Sequence, residues 1–262
     1  IVCKGEDYFS YVDTQGDGTR GSGITTKGKS NIKITVSENA HLNVTENSGA
    51  GIYAITVKFT LDIKPGAIVD LNNNGQGLCM NTDFVSELLV SVDNATLNIK
   101  NNRSNGVSGQ SRPYLLDIKN GSKVNIDNNG AIGIKDFFVK VNGQSELSVS
   151  GNRSHGMTNV GIDIVDSTAT FNNNAYLGLN VTKYNEGSDK TTISNSNVTA
   201  NNNGGPGIRF YIGNGVTDIT NSKITTNNNG EGADIYGYPV KPGDSGYWAG
   251  IVGKGKVTLT NS

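Results

Sequence analysis

Residues 95–107 read ATLNIKNNRSNGV, and this stretch contains the pattern that decides the fold. Two apolar residues alternate with polar ones, Asn102 follows three positions after the second of them, and a glycine and an apolar residue come soon after. The pattern occurs eight times, at steps of 22–29 residues. Its asparagines, here called the ladder asparagines, are Asn47, Asn74, Asn102, Asn129, Asn152, Asn174, Asn203 and Asn229. A period in the twenties predicts stacked units that bury their apolar residues against one another, and therefore a solenoid.

Each unit has a second landmark, an apolar residue followed by a polar turn, as at Val36, Ile63 and Val92. The period-two alternation after that turn predicts a short strand. The glycine after each ladder asparagine predicts a corner with a positive φ, and a further strand beyond it. With coils about 4.8 Å apart, we expect buried asparagine side chains to hydrogen-bond in a column along the axis.

The repeat runs through most of the chain without a linker, so we expect one domain. Residues 1–30 lack the motif and carry Tyr8, Phe9 and Tyr11, which favours an N-terminal cap over the end of the core. Residues 31–262 are expected to form about eight to nine coils. The C-terminus falls partway through a coil, which favours a piece cut from a longer, processed protein.

Composition narrows the classes of partner. Apolar residues make up 34% of the chain and glycine contributes 35 residues, which is typical of strands and turns. The formal net charge is −1 and Lys and Arg are scattered, so we expect no nucleic-acid binding. No apolar run is long enough to predict membrane insertion by this segment. Cys3 and Cys79 are the only cysteines; Cys79 is expected to be a small buried residue, and whether the two pair stays open.

The motif apolar-x-apolar-x-x-Asn, followed by Gly-apolar at irregular spacing, resembles the right-handed parallel β-helix of the pectate-lyase-like superfamily. The resemblance covers about residues 31–262 and implies an all-β solenoid with an inward asparagine ladder. That superfamily includes pectin-degrading enzymes, phage tailspikes and bacterial surface adhesins, and the chain looks most like the adhesins. A leucine-rich-repeat-like solenoid is the alternative fold, but it requires further leucines and a convex helix.

Two sets of residues are candidates for a catalytic site. Asn81-Thr82-Asp83 matches the Asn-Thr-Asp signature of polygalacturonase-like hydrolases, but the family's further Asp pair, Gly-His-Gly and Arg-x-Lys do not follow in place. Glycoside hydrolysis needs two facing carboxyl groups. Lyases of the superfamily hold Ca²⁺ between aspartates on one strand face, and Asp62, Asp117 and Asp163 recur before the second landmark. The same position in other coils holds Ser91, Lys140, Thr192 and Asp218.

This mixed column predicts a solvated strand face, so we expect no catalytic residues, no metal ion and no cofactor. In a solenoid, departures from the repeat are the places to seek specificity. The largest departure lies between Ile219 and Leu259, and a smaller loop begins at Tyr184. Exposed aromatic residues can anchor protein interfaces or pack on sugars, or they can simply cover the core. The candidate partner-binding residues are Tyr184, Tyr236, Tyr238, Tyr247 and Trp248.

The resemblance and the missing catalytic residues favour a non-catalytic binding region of a larger secreted or cell-surface bacterial protein. We expect its loops and strand faces to be displayed to a host protein, such as an immunoglobulin or a mucosal glycoprotein, or to a glycan. One alternative is a polysaccharide lyase or hydrolase acting on an acidic glycan. The other is a structural stalk.

Overall fold

The computed structural model describes residues 2–3, 21–80, 87–109, 114–182, 190–230 and 251–262. Within these ranges the chain forms β-strands and no helix, and accordingly no helix that could cross a membrane is found there. In chain order the strands are β1 (Val2–Cys3), β2 (Ile24–Val36), β3 (His41–Asn43), β4 (Ala50–Ile63), β5 (Ile68–Asp70), β6 (Gln76–Met80), β7 (Glu87–Asp93), β8 (Thr96–Asn98), β9 (Val107–Ser108), β10 (Tyr114–Lys119), β11 (Lys123–Asn125), β12 (Ile134–Lys135), β13 (Phe137–Val141), β14 (Glu146–Ser148), β15 (Met157–Val165), β16 (Thr168–Thr170), β17 (Leu179–Thr182), β18 (Lys190–Ser194), β19 (Asn197–Thr199), β20 (Ile208–Thr220), β21 (Lys223–Thr225) and β22 (Ile251–Thr260).

One sheet consists of eight three-residue strands that lie parallel and in chain order, from β3 to β21. We call it the short-strand face. In each strand the middle residue points into the core and its two neighbours point outward, because side chains alternate along a strand. Val124 of β11, for example, is fully buried and aligns with Leu97 and Leu147 in the adjacent coils.

The second sheet has 14 strands and wraps around two sides of the solenoid. Its corner face contains the strands that follow the ladder asparagines, such as β6, β9, β12 and β17. Its landmark face contains the strands that end at the second landmark, such as β7, β10, β13 and β18. Long strands such as β4 and β20 bend and contribute to both faces. Apart from the antiparallel pair β1 and β2, all pairings are parallel.

The predicted parallel β-helix with an inward asparagine ladder is therefore confirmed. The second-landmark residues align in register from Val36 through Ile118 to Leu259. The number of turns is about seven, whereas eight to nine coils were expected. Eight aligned short strands have seven intervals between them, and each interval is one turn of the chain. The number of repeated landmarks in the sequence therefore exceeds the number of turns. The described turns contain a third strand face in place of the convex helix that a leucine-rich repeat requires.

The predicted role of the corner glycines was wrong. Left-handed φ angles of 53° to 69° occur one residue before each ladder asparagine, at Glu46, Asn73, Asn101, Asn128, Gly151, Asn173, Asn202 and Asn228. The corner glycines themselves do not have left-handed φ angles; they are Gly51, Gly77, Gly106, Gly133, Gly156, Gly178 and Gly207. They are required for space: a Cβ on Gly133 would lie 2.9 Å from Nδ2 of Asn152 and 2.5 Å from the carbonyl oxygen of Gly156.

The expected N-terminal cap lies largely outside the described residues, including Tyr8, Phe9 and Tyr11. β1 pairs antiparallel with the end of β2, and β2 begins at Ile24. The Cys79 thiol is free and half-buried, and burial raises its pKa.

Candidate functional site

The ladder asparagines form a buried, fully bonded column. Asn129 is inaccessible to solvent, and its Oδ1 accepts from the backbone N–H and the Nδ2 of Asn102, at 3.1 and 2.9 Å. Its Nδ2 donates to the carbonyl of Ile99 at 3.1 Å and to Oδ1 of Asn152 at 3.0 Å. Because both donors and both lone pairs are used inside the core, these side chains hold coils together and are closed to a ligand.

A second polar column, which the sequence reasoning missed, lies at the turn before the short strands. Its serines are Ser122, Ser145, Ser167, Ser196, Ser222 and Ser262. Ser145 is typical: its Oγ accepts the backbone N–H of Ser122 at 3.2 Å and donates to the carbonyl of Asn142 at 2.6 Å. The signal in the sequence is a serine directly after a turn residue, as in Asn195-Ser196 and Asn221-Ser222. These serines too are structural.

A third column lies outside, two residues before each ladder asparagine. Oδ1 of Asn172 accepts the backbone N–H of Asn201, and Oδ1 of Asn201 accepts that of Asn227, each at 2.7 Å. The Asn-Asn-Asn triplets therefore combine an outer acceptor, a left-handed residue and an inner ladder residue. Most of the polar repeat serves the scaffold, so a functional site must be sought among the residues that the scaffold does not use.

The sequence-predicted aromatic site lies outside the described residues. This holds for Tyr184 and for Tyr236, Tyr238, Tyr247 and Trp248, and also for Asn81-Thr82-Asp83. Their proposed roles stay predictions.

The aspartate column of the landmark face is in the register that the sequence predicted. Asp62, Asp117, Asp163 and Asp218 align, but Ser91, Lys140 and Thr192 lie between them. Successive carboxylates are therefore two strands apart, or about 9.6 Å at ordinary strand spacing. Within the described part of the chain, no group of three His, Cys, Asp or Glu side chains could hold a metal ion.

Each of these carboxylates also has a local partner. Asp62 lies 2.6 Å from Nζ of Lys33 and 2.9 Å from Nζ of Lys64. Burial opposes ionisation of Asp62, but these two cations outweigh it and lower the pKa of the carboxyl. Asp163 accepts the backbone N–H of Thr192 at 2.9 Å, and burial raises its pKa. The column can act as a set of local ion pairs and hydrogen bonds.

The corner face has a different charge balance. We define it as residues 48–55, 75–80, 103–109, 130–136, 153–160, 175–182 and 204–211, which follow the ladder asparagines from Asn47 to Asn203. Among its described residues, the cations are Arg103, Lys135, Arg153 and Arg209, and the carboxylate is Asp136. Asp136 lies 3.7 Å from Lys135. Cations are therefore in excess on this face, although the whole chain carries a net charge of −1.

Two of these arginines belong to one column. Arg103, Gly130 and Arg153 each follow a ladder asparagine, and their backbone N–H groups donate to equivalent carbonyls at 2.7–2.9 Å. A Cβ on Gly130 would lie 2.7 Å from the carbonyl carbon of Arg103, so no side chain fits between the arginines. Both arginines are exposed, and Nη2 of Arg103 donates to the carbonyl of Ser48 at 3.0 Å.

An imidazole and a phenol pack together on the corner face, and the imidazole is two residues after Arg153. The rings of His155 and Tyr176 are 5.5 Å apart, and Nδ1 of His155 accepts the backbone N–H of Leu177 at 3.3 Å. Burial, helped by the charge of Arg209, lowers the pKa of His155 to about 4. The ring is therefore neutral at physiological pH, with its proton on Nε2 because Nδ1 is the acceptor.

Further along the axis, Arg209 is buried against its neighbours. Its Nε donates to Oδ1 of Asn180 at 2.9 Å, and Nδ2 of Asn180 donates to Oγ1 of Thr158 at 2.9 Å. The guanidinium lies 5.2 Å from the ring centroid of Tyr211, which is 43% exposed. This contact is a cation–π interaction that orients an exposed aromatic face.

The sequence reasoning missed the corner face because its residues are far apart along the chain. The available signal was the triplet Asn-Arg-Ser, which occurs at residues 102–104 and 152–154 in equivalent positions of the repeat. Comparison of the chain with family models, with curated proteins and with solved structures gives no match.

Proposed function

We propose that this β-helix is a non-catalytic binding region of a larger secreted or cell-surface bacterial protein, of the adhesin kind within the pectate-lyase-like superfamily. It binds a host protein or a glycan along its corner face. The observation that carries the proposal is the excess of cations on that face, combined with the exposed ring of Tyr211 and the paired rings of His155 and Tyr176.

This combination suits recognition. Arginine and aromatic residues are enriched at protein interfaces, because they offer a large contact area and directional hydrogen bonds. The corner strands are held by ladders on the inside, so their side chains are positioned before a partner arrives. A rigid binding surface of this kind loses little entropy on association.

A polysaccharide lyase acting on an acidic glycan is the second candidate. It is favoured by Asp163, a carboxyl on the landmark face that feels the charges of Lys140 and Lys190 and whose pKa is raised by burial. A carboxyl with a raised pKa suits a general acid or base. This candidate requires chemistry on the landmark face, whereas the binding proposal requires contacts on the corner face. Substitutions on the two faces therefore distinguish them.

The proposal is tested on an array of glycans and secreted host proteins, with product release from acidic polysaccharides measured in parallel. We expect saturable binding without products, a loss of roughly tenfold or more in affinity for Arg153→Glu, and native affinity for Lys223→Glu. Lys223 is a matched control because it is exposed and lies on the short-strand face. New unsaturated ends that disappear in Asp163→Asn would establish the lyase instead. Absence of any ligand would favour a structural stalk.

A further inference from the structure

We infer that His155 is an acid-sensitive switch in the corner face. While its ring is neutral, it holds the corner at Leu177 against the preceding coil; when the ring gains a proton, this corner opens locally and the asparagine ladder behind it stays closed. The switch goes beyond the proposed function, because it acts whatever the corner face binds. Three features carry it: the position of the ring among the bonds between coils, an equivalent contact two coils away, and the surroundings of the imidazole.

The imidazole takes the place of a backbone carbonyl at this corner. The two backbone N–H groups before Leu177 donate to carbonyls of the preceding coil, at 3.0 and 3.1 Å. The N–H of Leu177 donates instead to Nδ1 of His155, at 3.3 Å. Leu177 is only 1% exposed, so water cannot replace the ring as the acceptor while the corner is closed. The contact between the coils at this point therefore depends on a free lone pair on Nδ1.

The same contact occurs two coils away with a group that does not titrate. Ile132 has the position of Leu177 in its own coil, three residues after a ladder asparagine, and its N–H donates to Oδ1 of Asn105 at 3.1 Å. The two N–H groups before Ile132 again donate to carbonyls of the preceding coil, at 2.7 and 3.1 Å. An amide oxygen accepts at every pH, whereas an imidazole nitrogen accepts only when it is unprotonated. His155 therefore makes pH-dependent a contact that Asn105 makes permanent.

The surroundings of the ring oppose its protonation while the corner is closed. Burial, helped by the charge of Arg209, lowers the pKa of His155 to about 4. A proton on Nδ1 would point at the N–H of Leu177 and would place a cation in a partly buried site. Opening the corner lets water solvate that cation. The charged and titratable side chains on the corner segments around the ring are Arg153, Tyr176, Lys135, Asp136 and Arg209.

These properties define the pH range of the switch. In the opened corner the ring approaches its ordinary pKa of 6.5, and in the closed corner its pKa is about 4. Between these values the opened form binds more protons, so opening becomes more favourable as the pH falls from about 6.5 to about 4. The opening equilibrium constant can rise by at most about 300-fold over this range. The ladder bond from Asn152 to Asn174, at 3.0 Å, joins two neutral amides and does not titrate.

The test is hydrogen exchange of single backbone amides in the purified chain, followed by NMR between about pH 7 and about pH 4 and corrected for the intrinsic exchange rate at each pH. The N–H of Ile132 is the internal control for that of Leu177. We expect the protection of Leu177 to fall by roughly tenfold or more relative to that of Ile132 as the pH drops. The variant His155→Asn should remove this difference. The variant Asn105→His should give Ile132 the same dependence on pH.

A parallel loss of protection at Leu177 and Ile132 would overturn the inference, because it would show unfolding of the whole solenoid and not a local opening. An unchanged dependence on pH at Leu177 in His155→Asn would also overturn it. That variant keeps Asp136, whose pKa burial raises, so it separates the two titrations. Thermal melting of both variants at about pH 7 shows whether each retains the native fold. None of these outcomes depends on a binding partner, so the proposed function is tested separately.

Discussion

At the scale of single residues, neighbouring asparagines have different structural roles. In Asn172-Asn173-Asn174 the first accepts a backbone N–H from the next coil, the second has a left-handed φ of 58°, and the third belongs to the buried ladder. Asparagine suits all three positions because its short amide bonds to the backbone and tolerates the left-handed region. One repeated letter therefore encodes three physical roles.

Replacing a ladder asparagine should be costly. Asn129→Ala removes the acceptor of the Asn102 backbone N–H, one of two acceptors of the Asn102 Nδ2, and the side-chain donor to the Ile99 carbonyl. Oδ1 of Asn152 loses one of its two donors and keeps the backbone N–H of residue 129. We expect the free energy of unfolding to fall by about 3 kcal/mol, because buried polar groups lose their hydrogen bonds. Denaturant unfolding measures the change. The control is Asn197→Ala, at an exposed position, which should change stability by less than about 0.5 kcal/mol. Equal losses of stability in the two variants would contradict a stabilising role for the ladder asparagines.

The environment of His155 predicts a dependence of stability on pH. The unfolded imidazole titrates near 6.5 and the folded one near 4, so between these values the unfolded chain binds more protons. The free energy of unfolding should therefore fall as the pH drops from about 6.5 to about 4, by roughly 2 kcal/mol. His155→Gln should remove this part of the slope. An NMR titration midpoint for His155 near 6.5 would contradict the structure.

The sequence predicted the ladder well but not the serine column, and the reason is local. Each ladder position is an asparagine, because only an amide supplies two donors and two acceptors to neighbouring coils. The position of the serine column requires only a small residue between the turn and the short strand. Alanine occupies it before the first three short strands, at Ala40, Ala67 and Ala95. A column of mixed alanine and serine has no constant residue type to detect.

At the scale of elements, the glycine at the corner between two strands is required because neighbouring atoms leave no room for a Cβ, and not because of its φ angle. The corner glycine of each coil lies against the ladder asparagine of the next coil, and the left-handed residue precedes the ladder asparagine by one position. The sequence shows that glycine is needed after the asparagine. It does not show whether the need is for space or for φ, because only the neighbouring coil decides that.

Two glycine substitutions separate these needs. Gly133→Ala places a methyl group 2.5 Å from the Gly156 carbonyl oxygen, so we expect a loss of about 2–3 kcal/mol in stability from overpacking. Gly121 has a left-handed φ of 78°, and a Cβ there would meet only Oδ1 of Asn94 at 3.9 Å. Gly121→Asn should therefore be tolerated within about 1 kcal/mol, since asparagine accepts this conformation. The reverse order of effects, measured by thermal unfolding, would show that φ dominates at the corner.

At the scale of the whole molecule, the three faces differ in how their charges are used. The landmark face pairs acids with lysines, as at Asp62 with Lys33 and Asp218 with Lys190. The corner face concentrates cations, which the near-neutral composition of the chain conceals. The sequence therefore predicted the architecture, while the grouping of Arg103 and Arg153 emerged only when the coils were stacked in register.

The balance of charges predicts a salt effect on binding but not on the fold. Raising the ionic strength from about 0.1 to about 1 M shortens the screening length from about 10 to about 3 Å. Affinity for the partner of the corner face should fall steeply over this range, because exposed arginines are screened. The melting temperature should change little, because neutral amide and hydroxyl hydrogen bonds form the ladders. Affinity that does not respond to salt would argue against the arginines.

The most direct measurement is hydrogen exchange of the chain, free and bound to the tightest partner found on the array, followed by mass spectrometry. The account predicts that added protection is concentrated in peptides covering 103–109, 130–135, 153–158 and 176–182, which contain corner strands. It predicts little change on the short-strand face around β11 and β14. Protection centred on the aspartates of the landmark face, with the corner face unchanged, would contradict the account.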